Sequence, residues 1–252
     1  MTVITLLTDF GTTDSYVAEV KGVLLTRAPT PTLVDISHGV PPGDVRSAAY
    51  ILGRTWHRFP EGTVHLVVID PGVGGSRAAL ALQARHHFFV GPDNGVFTPV
   101  LYDTAVEIIA LPTPSAASAT FHGRDVFAPA AADLASGVSL STLGTFFPGI
   151  PHRLAVTEPH GEGRAIVGEV VYVDRFGTLI TNLTSELVPS SAKIEIEDLD
   201  LGGLKRTFSD VATGGLLAFV GSGGAIEIAV RDGSAASRLG IGIGARVRAT
   251  VE

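Results

Sequence analysis

The sequence predicts an α/β protein built as two domains. A three-layer N-terminal domain around a mainly parallel sheet is followed by a small all-β domain. Two observations carry this. Strand-like and helix-like segments alternate over residues 1–150, and short strands and turns with little helical periodicity fill residues 164–252. A third marks the boundary: FFPGIPHRLAVTEPHGEGRA, residues 146–165, is rich in Pro, Gly and His.

The elements follow in order. VITLLTDF reads as a first strand. SYVAEVKGVLLTRA has apolar residues at Tyr16, Val17, Val20, Val23 and Leu24, the spacing of one helix face. TLVDIS is a second strand. DVRSAAYILGRTWHRF opens on Asp44, an N-cap residue type, and is rich in helix formers. HLVVID is a buried strand, and ALALQARHHFFVGPDNG reads as two strands and a turn. DVFAPAAADLASG is a helix stopped at Gly137. This β-α-β-α order predicts parallel pairing, with functional groups gathered at the carboxyl ends of strands. Asp9, Asp35 and Asp70 stand at or near such ends. After the boundary, AIVGEVVYVDRFGTLITNLT, KIEIEDLDL, GLLAFVG, AIEIAV and GARVRATVE read as strands of a small β-barrel or sandwich.

Composition removes several function classes. The net charge is −7 without a basic block, which argues against nucleic acid or an anionic membrane as the main partner. With no cysteine, disulfides and thiolate metal sites are excluded. The N-terminus has no basic region and meets an acid at Asp9, so it reads as a strand and not a signal peptide. No apolar run approaches the roughly 18–20 residues of a membrane span. A soluble, cytoplasmic protein is expected.

The motif richest in chemistry is VVIDPGVGGSR, Val67 to Arg77. A buried strand ends on Asp70, turns through Gly72, Gly74 and Gly75, and returns with Arg77. It reads either as a capped tight turn or as a turn whose glycines let backbone approach a ligand while Asp70 and Arg77 converge. It lacks the Lys-Ser/Thr ending of a P-loop. FHGRDVF sets His122 just before a helix, structural alone but able to join an Asp/Arg/His set that binds and activates water. LLTDFGTTDSY places Asp9 at a strand end, as an Asx turn or as an acceptor for a vicinal diol such as a ribose. GPDNGVF carries the Asn-Gly signal of a hairpin. DISHGVPPGD offers Asp35 and His38, too few for a metal site, and no HExxH-type spacing occurs, so no metal is expected. GIGIGAR mimics a dinucleotide fingerprint but leads into a strand. Asp174 and Phe176 in YVDRFGTLITN, and Ser222 in GSGGAIEIAV, are turn residues that could instead hold the ends of a polar ligand.

Together these segments resemble one family. TDFG, DISH followed by PPGDVR, VVIDPGVG-GSR, PDNG, FHGRDVF, DRFG-LITN and S-G-IEIAV occur in its order over nearly the whole chain. The chain looks like the S-adenosyl-L-methionine (SAM) hydroxide adenosyltransferases, or SAM hydrolases, which share a superfamily with the bacterial fluorinase and chlorinase. The resemblance implies an α/β domain followed by a β-barrel. It also implies a homotrimer binding SAM between the N-terminal domain of one subunit and the C-terminal domain of the next. The implied reaction is SAM plus water to adenosine and L-methionine, with SAM as substrate and no cofactor. The family's water site falls on Asp70, Arg77 and His122. Its ligand contacts fall on Asp9 (ribose diol), Asp174 (methionine ammonium), Ser222 (methionine carboxylate), and Phe176 and Phe208 (adenine).

The fluorinase has tyrosine at the position of Asp70 and Tyr-Ser at His122-Gly123, and the chlorinase has Tyr-Gly there. A halide needs a dry pocket without a facing carboxylate, whereas water needs a proton acceptor. The resemblance therefore favours hydrolysis. Halide transfer and a non-catalytic SAM or adenosine sensor are the alternatives. Two departures bear on ligand binding: Thr178 stands where the family commonly has Asn, and Gly223 where the halogenases have Arg.

Overall fold

The computed structural model describes residues 2–28, 30–102 and 106–251. The chain divides into two compact units, Met1–Leu154 and Ala155–Glu252.

In the first unit the strands are β1 (Val3–Thr8), β2 (Thr32–Ser37), β3 (Val64–Val68), β4 (Ala79–Ala84), β5 (His87–Pro92), β6 (Glu107–Ala110) and β7 (Thr145–Phe146). They form one sheet in the order β2-β1-β3-β5-β4-β6-β7. The pairs β2/β1, β1/β3 and β3/β5 are parallel, while β5/β4, β4/β6 and β6/β7 are antiparallel. The sheet is thus parallel in one half only. The cause is the β4–β5 hairpin, which returns without a crossover helix.

Helices α1 (Tyr16–Arg27) and α3 (Ala128–Ala135) cover one face and α2 (Val45–Thr55) the other, making three layers. Val20 and Leu24 of α1 and the alanines of α3 pack on Ile4, Leu6, Leu66 and Val68. Ala48 and Leu52 of α2 pack on Leu7, Val67 and Ile69. All five residues of β3 are buried, as expected for a strand covered on both faces. Full burial of one such leucine is worth roughly 1.5–3 kcal/mol. Asp44 caps α2 as expected, its Oδ1 accepting from Ser47 N at 3.0 Å. Gly137, at φ +89°, ends the α3 region.

The Asn94-Gly95 pair does not make a hairpin. The hairpin turn is Arg85-His86, both at positive φ. Asn94 instead uses its side chain locally: Nδ2 donates to Ile69 O at 2.7 Å and Oδ1 accepts from Val96 N at 3.2 Å. A polar side chain with a nearby backbone carbonyl to bind overrides the dipeptide's turn preference.

At the amino end of β3, His65 and His87 are buried side by side. Thr5 Oγ1 lies 2.8 Å from His65 Nδ1, and His65 Nε2 lies 3.2 Å from His87 Nδ1. Burial, then the neighbouring His87, pushes the His65 pKa down to about 3. A histidine whose pKa falls on folding stabilises the protein above its unfolded value near 6.5, and that contribution is lost as pH falls toward 3. His65 alone should remove about 3 kcal/mol between pH 7 and pH 4. Urea unfolding of the wild type and of His65→Phe across this range checks it: the variant's profile should be flatter, and parallel profiles would refute the assignment.

The second unit holds β8 (His160–Glu162), β9 (Ala165–Val173), β10 (Leu179–Thr184), β11 (Lys193–Ile196), β12 (Leu199–Gly203), β13 (Leu216–Val220), β14 (Ala225–Val230) and β15 (Arg246–Thr250). They run in the order β12-β11-β15-β9-β10-β14-β13, with β8 on β9. A bridge between Lys205 and Phe219 nearly closes the ends into a barrel. Val170, Leu183, Ile194, Ile226, Ile228 and Val247 fill it. One element lies outside the all-β expectation: α4 (Ala235–Leu239), capped by Ser234 and ended by Gly240 at φ +67°. Five residues are too few to register as helical periodicity.

Candidate active site

The connection from β1 leads to β2 on one side, and β3 leads to β4 and β5 on the other. The carboxyl ends of β1 and β3 therefore flank a topological switch point, where open α/β sheets bind ligands. Thr8 pairs with Val68, so Asp9 stands one residue and Asp70 two residues past the last paired position of adjacent strands. A cavity of about 390 Å³ opens there, lined among others by Asp9, Phe10, Gly43, Asp70, Phe121 and His122.

The Asp70–Arg77 turn closes on itself. Arg77 Nε donates to Asp70 Oδ1 at 2.9 Å, and Nη2 donates to Oδ2. The pair is bidentate and largely buried, with side-chain exposures of 11% for Arg77 and 6% for Asp70. Arg77 Nη2 also donates to His122 Nδ1 at 2.9 Å, and the guanidinium sits 5.3 Å from the centre of the Phe127 ring. Asp70, Arg77 and His122 are thus one hydrogen-bonded cluster. Burial, then the Arg77 charge, lowers the His122 pKa. The ring is neutral at pH 7, accepts at Nδ1, and carries its proton on Nε2.

The glycines explain how distant segments meet. Gly74 has φ +75°, and a Cβ there would lie 2.3 Å from Ala119 O. Its bare backbone lets the turn press against the segment that delivers His122. Gly74→Ala should cost about 1–3 kcal/mol from its backbone angle alone. It should also lower turnover by separating His122 from Arg77. Thermal melting with steady-state rates checks this, and wild-type values for both would contradict it.

Asp9 is held from the side: its Oδ2 accepts from Gly43 N at 2.8 Å. Gly43 has φ +74°, a conformation that favours glycine. Asp35 lies elsewhere, paired with Lys21 Nζ at 2.7 Å. The sequence placed Tyr16 on the apolar face of α1 and gave no role to Phe10 or Phe121; in the structure Tyr16 is exposed, and the three rings form a cluster with centroids 5.4–5.9 Å apart. Two of them flank Asp9 and His122 in the chain, and that adjacency was the available signal.

In the second unit, Asp174, Phe176, Phe208 and Ser222 line one cavity of about 830 Å³, together with Thr178, Phe219 and Glu227. Asp174 Oδ1 accepts from the backbone N–H of Phe176 at 2.9 Å and of Thr178 at 2.8 Å, so this loop is a turn, as its residues suggested, closed by the Asp174 side chain. Phe176 is 76% exposed, and the Phe208 ring packs tilted against Phe219 with centroids 5.0 Å apart. Among the described residues no group of three or more His, Asp or Glu side chains is arranged to hold a metal.

The profile of the SAM hydroxide adenosyltransferase N-terminal domain matches residues 4–144, and that of the C-terminal domain matches residues 168–248. The chain belongs to this family. It is 44% identical to an (R)-S-adenosyl-L-methionine hydrolase of Thermus thermophilus, covering 96% of this chain and 97% of that one. A fluorinase of Actinoplanes sp. is 28% identical over 72% of this chain and 71% of its own. A solved structure of an uncharacterized conserved protein from Thermotoga maritima superposes with a TM-score of 0.90 at 35% identity, over 98% of this chain and all of that one. SAM hydroxide adenosyltransferase membership agrees with the α/β-plus-barrel architecture. Among the described residues no helix is long and apolar enough to cross a membrane.

Proposed function

We propose that this protein hydrolyses S-adenosyl-L-methionine to adenosine and L-methionine, with water attacking the ribose C5′. The observation that carries this reading is the Asp70–Arg77–His122 cluster on the switch-point cavity, in a chain 44% identical to an enzyme of that name. The thioether of methionine leaves as a neutral group, so no acid is required at sulfur. The protein's work is to position water in line with the C5′–S bond and to take its proton. Arg77 stays protonated and cannot be the base. His122 spends its Nδ1 lone pair on Arg77 and holds its proton on Nε2, which makes it a donor. Asp70 is the member of the set that accepts the proton, and solvent then removes it.

Asp9 takes the ribose diol, Asp174 the ammonium and Ser222 the carboxylate of methionine. Phe176 and Phe208 flank adenine, each stacked ring being worth roughly 1–3 kcal/mol. In this reading the protein is a cytoplasmic homotrimer needing no cofactor, and the C-terminal residues serve the neighbouring subunit's N-terminal cavity. The exposed rings of Phe176 and Phe208, both lining one cavity, support this as aromatics that a ligand and neighbour would cover.

Neutral His122 also sets the acid limb. Its pKa lies below 6.5, so kcat should hold at pH 7 and fall once pH drops through that lowered value. There the imidazolium would repel Arg77. A pH–rate profile checks it, and an inflection above 7 would contradict it.

The relatives' name specifies the (R) configuration at sulfur. A sulfonium with three different substituents exists as two epimers, and only one directs its methyl away from a given pocket wall. Chromatography of products from each epimer, with and without chloride, tests the function. Adenosine and methionine, formed faster from the (R) epimer and indifferent to chloride, are expected. A 5′-chloro nucleoside would make the protein a halide transferase, and SAM binding without products would make it a sensor.

A further inference from the structure

A buried Thr8–His38 hydrogen bond beside the site, with Asp35 and Lys21 leading from it to the surface, has no part in the reading above. Thr8 Oγ1 and His38 Nδ1 are 2.8 Å apart. His38 Nε2 lies 3.1 Å from Asp35 Oδ1, at ion-pair distance though off the hydrogen-bond direction. Lys21 Nζ donates to Asp35 Oδ2 at 2.7 Å. The carboxylate sets the polarity of the chain. It only accepts, so the His38 proton belongs on Nε2, and Nδ1 accepts from the Thr8 hydroxyl. Thr8 Oγ1 in turn accepts from the backbone N–H of Phe10 at 3.3 Å. The His38 carbonyl accepts from Gly11 N at 2.8 Å. Thr, His and Asp in sequence suggest a nucleophile set, but Thr8 is 1% exposed and its proton is committed to His38, so no substrate meets it. What the chain reaches is the loop on both sides of Asp9.

We propose that Thr8 and His38 are positioning residues for Asp9, locking the residues on either side of it so that its carboxylate meets the ligand at one fixed place. Residues 8 and 11 are tied to His38, residue 10 to Thr8, and Asp9 itself to Gly43 of the same 35–44 segment. This rests on the assignment of Asp9 to the ribose. The diol hydroxyls carry no developing charge during attack at C5′, so contacts to them bind ground state and transition state alike. Loosening Asp9 therefore raises KM and leaves kcat nearly as it was.

The test is a double-mutant cycle of Thr8→Val and Asp9→Ala on the full chain, read as KM for SAM and as Kd for SAM by calorimetry. Thr8→Val keeps the buried shape and removes only the hydroxyl. It should raise both constants roughly tenfold, the scale of a misplaced binding group. In the Asp9→Ala background it should add nothing, because its route to the ligand is gone. His38→Leu should mimic Thr8→Val, and His38→Asn, whose amide oxygen can stand in for Nδ1, should restore most of the loss. Additive effects, or an unchanged KM and Kd in Thr8→Val, would overturn the proposal while leaving the hydrolase reading intact. A wild type that neither binds nor cleaves SAM would overturn both.

Discussion

Asp70→Asn is expected to lower kcat by about 10²–10⁴-fold, the range for removing a general base, with KM changed little. The substitution keeps the volume and one acceptor oxygen, so the turn can still close on Arg77. It removes the one group in the cluster able to take the proton of water. It also leaves the Arg77 guanidinium, only 11% exposed, without its carboxylate. Breaking a buried pair from one side costs about 3–5 kcal/mol, lessened here by the amide oxygen that remains. Steady-state kinetics and a thermal melt therefore belong together. A folded variant that turns over at the wild-type rate would exclude Asp70 as the acceptor and return the role to His122.

Asp9→Ala should act on the other constant. A hydrogen bond to a charged group is worth about 1.5–3 kcal/mol, so KM should rise about 10–100-fold with kcat largely kept. The effect should be reproduced by calorimetry with adenosine, which retains the diol and lacks the sulfonium. A fall in kcat without change in KM would move Asp9 from ligand binding to the water site.

Much of the fold was legible because its signals are local. The Asp44 cap, the apolar face of α1 and the Gly137 stop lie within a few residues of what they control. What escaped depends on partners distant in the chain. Thr8 and His38 are thirty positions apart, and nothing in either segment announces the bond. The Asn-Gly pair misled because Asn94 had Ile69 O within reach. The true hairpin turn, Arg85-His86, carries no turn-type residue. The antiparallel half of the sheet followed from that hairpin. The site was legible in part: the Asp70–Arg77 spacing suggested convergence and His122 read as a group able to join them, but only the family resemblance put the three in one place. The close approach of Gly74 to Ala119, which brings the two segments together, is a tertiary contact that no spacing reveals.

The origin of the oxygen atom in the product tests the central claim most directly. The protein is incubated with SAM in oxygen-18 water, and the nucleoside and amino acid are examined by mass spectrometry. Water acting as nucleophile at C5′ predicts one heavy oxygen in the 5′-hydroxyl of adenosine and none in methionine. Heavy oxygen in the amino acid fragment, or adenosine carrying only ordinary oxygen, would contradict it.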